Sequence, residues 1–344
     1  MTFGASPTLS VVLPNYNHAA LLPRALDALI AQDRPADEIV IVDDGSTDGS
    51  RAVIERYAAR HPSIRLLANE HNSGVIPALQ RGLEAARGDY VYFAASDDWV
   101  MPGFFSRALA MLETHQDVGL FCANALLIDA ETGRPGGYRP IARPLPHAGA
   151  MGPAETVALL RRIDNWILTG SAVFRRQAIE AAGGLDARLG TLADGMLARK
   201  VALTHGFCYA PVIAATWYVS AAGVSRSTAL TKGEEVLRTA PAIIAADPVF
   251  PAWYAELFKR RWRFATARLA LERRPFDRHL LRVMGPRAPW LRTLLECVWT
   301  VLPAAAGRFV TLSLLWLALR PTSLFRVMTS ALAHRMGGGA QNLK

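Results

Sequence analysis

The chain has 344 residues, 51% of them hydrophobic, which is enough for one large domain or two ordinary ones around a real core and excludes wholesale disorder. Its three cysteines, Cys122, Cys208 and Cys297, lie far apart and form no metal-spaced pair, which fits a reducing compartment. The net charge of +9 is local: from Lys259 to Arg292 eleven Lys/Arg oppose only Glu272 and Asp277, so this segment carries the whole excess. The opening MTFGASPTLSVVLP has no basic stretch followed by a long apolar run, so no signal peptide is expected.

In chain order, Thr8 to Leu13 is a short apolar run closed by Pro14 and Asn15, the pattern of a buried strand. Leu22, Leu26, Leu29 and Ile30 predict a helix over Leu21 to Ala31. Ile39 to Val42 is a second buried strand, and Val53, Ile54 and Tyr57 mark a helix over Asp48 to Arg60. Ile64 to Leu67 is a third strand, Gly74 to Arg87 a helix that stops at Gly88, and Tyr90 to Phe93 a fourth strand. Strand and helix alternate with short connections, which predicts a parallel α/β sheet with its ligand crevice beyond the carboxyl ends of the strands. Asp129 to Glu155, rich in Gly and Pro, reads as a long loop.

Two of these strands end in paired acids. EIVIVDDGSTDG places Asp43 and Asp44 at one strand end, followed by a turn in which Ser46, Thr47 or Asp48 can cap the next helix. A lone Asp-Asp-Gly would be read as capping and solvated turn. YVYFAASDDW repeats the pattern with Asp97 and Asp98, and both pairs should face one crevice. Adjacent carboxylates repel, so a divalent cation or a hydrogen-bonding ligand is the natural compensation. Oxygen ligands without nearby His or Cys suggest Mg²⁺ or Mn²⁺, ions that commonly arrive with phosphates. No P-loop or G-x-G-x-x-G follows the first strand.

LSVVLPNYNHAALLPRALDALIAQ, EIVIVDDGSTDGS and NEHNSGVIPALQRGLEAARGDYVYFAASDDW, in this order and spacing, resemble the inverting family-2 glycosyltransferases of the GT-A fold. The likeness continues through NWILTGSAVFRRQAIEAAGGLDARLGTLADGMLARKVALTHG and covers roughly Thr8 to Ser225. It implies a Rossmann-like, mostly parallel sheet flanked by helices. It also implies a catalytic domain over residues 1–225 that moves one sugar from a nucleotide-diphosphate sugar to an acceptor hydroxyl with inversion. By position, Pro14 and Tyr16 would line the base, Asp44 would accept a hydrogen bond from it, and Asp43 would contact the donor or orient the turn. Asp97 would hold Mn²⁺ or Mg²⁺ against the diphosphate, with Asp98 the neighbouring metal candidate. Asp194 would be the general base, and the turn Thr169, Gly170, Ser171 would lie toward the acceptor. The eight histidines are read as incidental, with His205 at a helix end.

Three departures from the family pattern stand out. Ala95 replaces the first acid of Asp-x-Asp. Ala193, Gly195 and Met196 surround Asp194 where acidic or bulkier residues are usual. Ser220 falls about where a metal-facing His often stands. The Gln-x-x-Arg-Trp pattern of processive synthases is absent, which favours single addition. Two rival readings follow: a catalytically idle sugar-nucleotide or membrane-surface binding module, and a nucleotidyltransferase, which would need a Gly-rich basic loop that PNYNHAALLPR does not offer.

Residues 226–344 read as a basic, amphipathic helical region. Trp253, Leu257, Phe258, Trp262, Ala265 and Leu269 form one stripe. Leu291, Leu294, Leu295, Val298, Trp299 and Leu302 form another, and Phe309 to Leu319 is apolar all round. Three arrangements fit: helices packed on the catalytic domain, an anchor lying in an anionic membrane interface, and a span over Cys297 to Leu319. The interfacial arrangement is favoured, because Arg308, Pro303 and Gly307 interrupt the span. The protein is then expected on the cytoplasmic, inner face of the cell membrane, peripheral or monotopic, acting in cell-envelope polysaccharide or glycolipid assembly, with a lipid-linked saccharide as acceptor. Nucleic acid is not an expected partner, since no aromatic-and-glycine binding motif accompanies the charge.

Overall fold

The computed structural model describes residues 7–220, 223–272, 277–302 and 304–321, and the chain falls into two compact units that part after Ser220. The first unit opens with β1 (Leu9–Asn15), α1 (Leu22–Ile30), β2 (Glu38–Asp43), α2 (Ser50–Ala58), β3 (Ile64–Ala68), α3 (Val75–Ala85), β4 (Tyr90–Phe93) and α4 (Phe104–Thr114). It continues through β5 (Leu120–Asp129), β6 (Pro135–Arg139), β7 (Gly149–Met151), α5 (Pro153–Leu160), β8 (Ala172–Arg175), α6 (Arg176–Ala181), α7 (Ala193–His205) and β9 (Phe207–Val219). The strands form one sheet in the order β3-β2-β1-β4-β8-β5-β9-β7, with β6 on β5. β1, β2, β3 and β4 are parallel neighbours; β8 runs antiparallel to both β4 and β5, and β9 is parallel to β5.

Register sets the crevice. Asn15 pairs with Asp43 and Asp43 with Ala68, so β1, β2 and β3 end at one level. Alternation along each strand feeds two core layers. Leu13, Ile41 and Tyr92 pack with Leu22, Leu26, Phe104 and Phe105 on the α1–α4 side. On the other side α3 comes so close that a Cβ on Gly82 would stand 2.4 Å from Val12 Cγ1 and 3.2 Å from Val42 Cγ2.

The stretch from Asp129 to Glu155, expected as a loop, contains β6, β7 and the start of α5. Its turn residues make this possible. Asp129 Oδ1 accepts the N–H groups of Glu131 and Thr132 at 3.1 and 2.8 Å, and Gly133 takes φ +67°, so the chain reverses and returns along β5. Gly and Pro content signalled the turn and hid the short edge strands beside it.

The second unit holds α8 (Val224–Thr231), α9 (Gly233–Ala246), α10 (Tyr254–Glu272), α11 (Arg278–Met284), α12 (Pro289–Val301) and α13 (Ala304–Leu319). α10 is its central helix. Tyr254, Leu257, Phe258, Ala267, Leu269, Ala270 and Leu271 are buried, and Trp262 stacks on Phe258 while its indole N–H donates to the Gly233 carbonyl at 2.9 Å. The first predicted stripe is therefore largely core. α12 and α13 are separate helices, and among the described residues no helix is long and apolar enough to cross a membrane.

Gly82→Ala tests the α3 contact. Alanine is the better helix former by about 1 kcal/mol, but forcing a methyl onto stiff, buried Val12 costs about 1–3 kcal/mol. A net loss of thermal stability is expected in a melting experiment. An unchanged or raised Tm would show that the sheet yields at Val12.

Candidate active site

Asp43 and Asp44 are both buried. Asp43 Oδ1 accepts from the Asn15 amide at 2.9 Å and the Ser46 hydroxyl at 2.6 Å, and its Oδ2 from the Ser46 N–H at 3.3 Å. It therefore ties the end of β1 to the turn after β2. Asp44 faces the loop after β3. Its Oδ1 accepts from the Asn69 amide at 2.6 Å and the Ser73 hydroxyl at 2.7 Å, and its Oδ2 from the Gly74 N–H at 2.8 Å; the Ser73 N–H lies 3.1 Å from both oxygens. Burial by itself would raise the Asp44 pKa, but the bonds from Asn69, Ser73 and Gly74 outweigh it and hold the carboxyl below its ordinary value. Gly45 permits this approach: it sits at φ +73°, and a Cβ there would lie 2.7 Å from the His71 backbone. α2 begins only at Ser50, whose N–H is accepted by Asp48 at 2.9 Å, so Asp48 serves the helix start and Ser46 serves Asp43.

The second acid pair follows β4. Trp99 to Met101 is stitched to the far part of β9: the Thr216 N–H donates to the Trp99 carbonyl at 2.9 Å and the Met101 N–H to the Ala214 carbonyl at 2.8 Å. Asp98 Oδ1 accepts the Tyr218 N–H at 2.6 Å. Burial first, and then the neighbouring Asp97 charge, push the Asp98 carboxyl up to about 8, while the Tyr218 N–H and the Arg24 charge oppose the rise. Asp97 is half-buried, and among the described residues no donor meets its carboxylate. Its backbone carbonyl accepts Arg24 Nη2 at 3.0 Å. The Arg24 guanidinium carbon lies 3.9 Å from the Trp99 ring centre and 4.9 Å from that of Tyr218.

A 3-10 turn at Thr169–Ser171 lies between the second pair and Asp194. A Cβ on Gly170 would stand 3.9 Å from Asp98 Oδ2, and the Gly170 carbonyl accepts the Tyr92 hydroxyl at 3.0 Å. The Thr169 hydroxyl donates to Asp194 Oδ2 at 2.8 Å. Asp194 stands in the first turn of α7, half-buried, with Oδ1 accepting the Gly195 N–H at 2.7 Å. One turn on, Arg199 donates to the Gly195 carbonyl at 2.7 Å and pairs with buried Asp164 at 2.6 Å, which fixes the start of the helix. Ser171 is buried, with its hydroxyl on the Ala123 carbonyl at 2.9 Å. At the β1 end, Tyr16 is 41% exposed and Pro14 is half-buried.

The structure thus joins Asp98, Gly170, Thr169 and Asp194 in one run of contacts, with Asp97 beside it, and a second network gathers Asn15, Asp43, Asp44 and Asn69. Sequence reasoning missed Arg24, Tyr218 and His18. His18 Nδ1 lies 2.6 Å from the Ser96 hydroxyl, directly before Asp97. For Arg24 and His18, a polar or charged residue close after the first strand was the available signal, with partners 73 and 78 positions away; Tyr218 meets Asp98 from 120 positions away.

Among the described residues no three His, Cys, Asp or Glu side chains gather around a cation-sized point. One unpartnered carboxylate, Asp97, with a second crowded beside it, fits a divalent cation that takes its other ligands from phosphate oxygens and water. It does not fit an all-protein cage.

Residues 10–181, half of the chain, match the model of Glycosyl transferase family 2. The chain belongs to that family. It is 40% identical over 111 residues to the uncharacterized glycosyltransferase YibD of Escherichia coli, a stretch covering 32% of each chain. It is 30% identical over 241 residues to an uncharacterized protein, MT1568, of Mycobacterium tuberculosis, covering 68% of this chain and 72% of that one. The matches to the first curated relatives thus span about a third of their length. Among solved structures, Staphylococcus aureus TarS in complex with UDP-GlcNAc superimposes with TM-score 0.61 at 17% identity, covering 96% of this chain and 92% of TarS. The mannosyltransferase PcManGT of Pyrobaculum calidifontis, with GDP-Man and Mn²⁺, gives 0.57 at 21%, covering 97% and 88%. The fold of this family-2 chain is GT-A-like, with a helical C-terminal region.

The lowered pKa of Asp44 has a defined sign. Its contribution to stability is complete above the unfolded value of about 3.9 and is lost as pH falls through the lower folded value. Asp44→Asn should cost about 1.5–3 kcal/mol at pH 7, the range for hydrogen bonds to a charged group. The gap to wild type should close as pH drops below 4. A gap independent of pH in urea titrations would show that shape rather than charge matters at this position.

Proposed function

We propose that the protein transfers one sugar from a nucleoside-diphosphate sugar to an acceptor hydroxyl, with inversion, through a domain that occupies residues 1–225. The observation that carries this reading is the run Asp98–Gly170–Thr169–Asp194: it places a carboxylate beside a candidate cation site and a second carboxylate across a short turn from it. Asp194 takes the proton of the attacking hydroxyl, a poor nucleophile without a positioned base. The Thr169 hydroxyl orients Asp194 Oδ2, and the Thr169–Ser171 turn faces the acceptor. Pro14 and Tyr16 line the base. Asp43 and Asp44 hold the floor of that site, with Asp44 as the acceptor for a base N–H. Asp97, with Asp98 behind it, would hold Mn²⁺ or Mg²⁺, which when bound neutralises charge on the departing diphosphate.

Support for a nucleotide-sugar donor comes from family membership and from the UDP-GlcNAc and GDP-Man bound by the two structural relatives. A cell-envelope role draws on likeness to the putative teichuronic acid biosynthesis glycosyltransferase TuaG of Bacillus subtilis, 38% identical over 92 residues. The basic helical region 226–344 keeps the enzyme on the anionic inner face of the cell membrane, where a lipid-linked saccharide is the acceptor. Ala95 and the lone Asp97 favour a second reading, an idle binding module.

Release of UDP or GDP from a panel of donor sugars with Mn²⁺ separates these readings. Turnover is expected; binding without turnover would establish the idle module, and pyrophosphate release a nucleotidyltransferase. Asp194→Asn should lower kcat by about 10²–10⁴-fold while donor affinity stays within a few-fold. Near-normal kcat would remove Asp194 from the role of base. Asp97→Asn should abolish the Mn²⁺ dependence of nucleotide binding in calorimetry, and an unaltered metal titration would move the cation site to Asp98.

A further inference from the structure

α12 is apolar on two faces. Leu295 and Trp299 point into the core of the second unit. Trp290, Leu294, Cys297 and Val301, at i, i+4, i+7 and i+11, form a continuous stripe on the outside, with Trp290 69% and Val301 79% exposed. α13 packs along α12, and Gly307 allows the approach: a Cβ there would lie 3.2 Å from the Val298 carbonyl. α13 adds Phe309, 75% exposed, and Leu317, 59% exposed. Bulky side chains are seldom left in water in this number on neighbouring helices without a partner.

The surrounding charge identifies the partner. Between Asp277 and Pro321 the sequence has six arginines and two acids. Arg278 pairs with one acid, Glu296, at 3.1 Å, and Asp277 caps α11 through the Leu280 N–H at 3.0 Å. Arg282, Arg287 and Arg320 are exposed and have no acidic partner among the described residues. A second copy of the chain would bring the same excess of arginine against this one. An anionic lipid surface complements both parts, with headgroups for the arginines and acyl boundary for Trp290, Val301 and Phe309. Among the described residues no helix offers a crossing: the 16 residues of α13 reach about 24 Å, short of a hydrocarbon core of about 30 Å.

We propose that the Trp290–Leu294–Cys297–Val301 stripe, with Phe309 and Leu317, is the surface by which this protein lies in the interface of an anionic bilayer, its helices parallel to the membrane plane. The inference rests on the membrane reading above and specifies the face and the mode. The buried stripe of α10 takes no part.

Cys297 supplies the probe, because Cys122 and Cys208 are buried. Full-length protein carrying an environment-sensitive fluorophore on Cys297 is mixed with phosphatidylcholine vesicles with or without 30% phosphatidylglycerol. A blue shift and quenching by shallow lipid-attached quenchers are expected with the anionic vesicles only. In flotation, unlabelled Trp290→Glu/Val301→Glu and Phe309→Glu variants should bind at least tenfold less, with Tm unchanged because these side chains are exposed. Arg282→Gln/Arg287→Gln should weaken binding and reduce its salt dependence. Wild type that ignores anionic vesicles would overturn the membrane reading and this face together. Wild type that binds while the Glu variants bind equally would overturn the face alone. A wild-type dimer that Trp290→Glu/Val301→Glu converts to monomer would assign the stripe to self-association and overturn the proposal. Quenching only by deep quenchers would replace the in-plane mode with insertion.

Discussion

A carboxylate removed from water must be met by donors, and the first unit is organised around that requirement. β1, β2 and β3 end at one level, and Asp43 and Asp44 stand there, buried. Neither can be satisfied by its own strand. Asp43 draws in Asn15 and Ser46; Asp44 draws in Asn69, Ser73 and Gly74. Three separate loops are thereby fixed against one another. An unmet buried charge would cost several kcal/mol, so the network rigidifies the crevice floor at little net expense.

The acids after β4 obey the same rule with a different outcome. Asp98 is held by a backbone N–H from β9, yet its surroundings still favour the neutral form. Asp97 is left with no protein donor, while its own carbonyl is anchored by Arg24 between Trp99 and Tyr218. A fixed backbone with a free carboxylate would let a ligand bind without first reorganising the chain. The departures noted in sequence gain meaning here. With Ala95 in place of an acid, Asp97 stands without a second protein carboxylate ahead of it, and the cation it suits is one that arrives with a phosphate. Gly195, beside Asp194, leaves space for Arg199, whose Nη1 would be 3.2 Å from a Cβ at that position.

The second unit divides its apolar residues in a way that periodicity conceals. α10 and the second predicted stripe look alike on a helical wheel. One is buried on almost every side. The other is split between Leu295 and Trp299 inside and Leu294 and Leu302 outside. Hydrophobic period reports that a face is apolar, and the neighbours of the helix decide whether it is covered.

Much of the fold was legible in the sequence because its signals are local. β-branched runs, 3.6-residue spacing and turn residues placed the first four strands and three helices to within two or three residues, and the motif order pointed to the family. β6 and β7 were not legible, since Gly and Pro mark a turn without disclosing what pairs beside it. The acids Asp43, Asp44, Asp97 and Asp98 stood out as residue types at strand ends, and Asp194 through the family resemblance. Their differences did not. Whether a carboxylate is saturated, crowded or free depends on donors 25 to 120 residues away, such as Asn69 for Asp44 and Tyr218 for Asp98. The sequence by itself determined the alternation of strand and helix and the chemical types at the crevice. Only the tertiary structure decided which of those groups are spent on holding the fold and which stay free for a ligand, because hydrogen-bond partners are assigned by proximity in space.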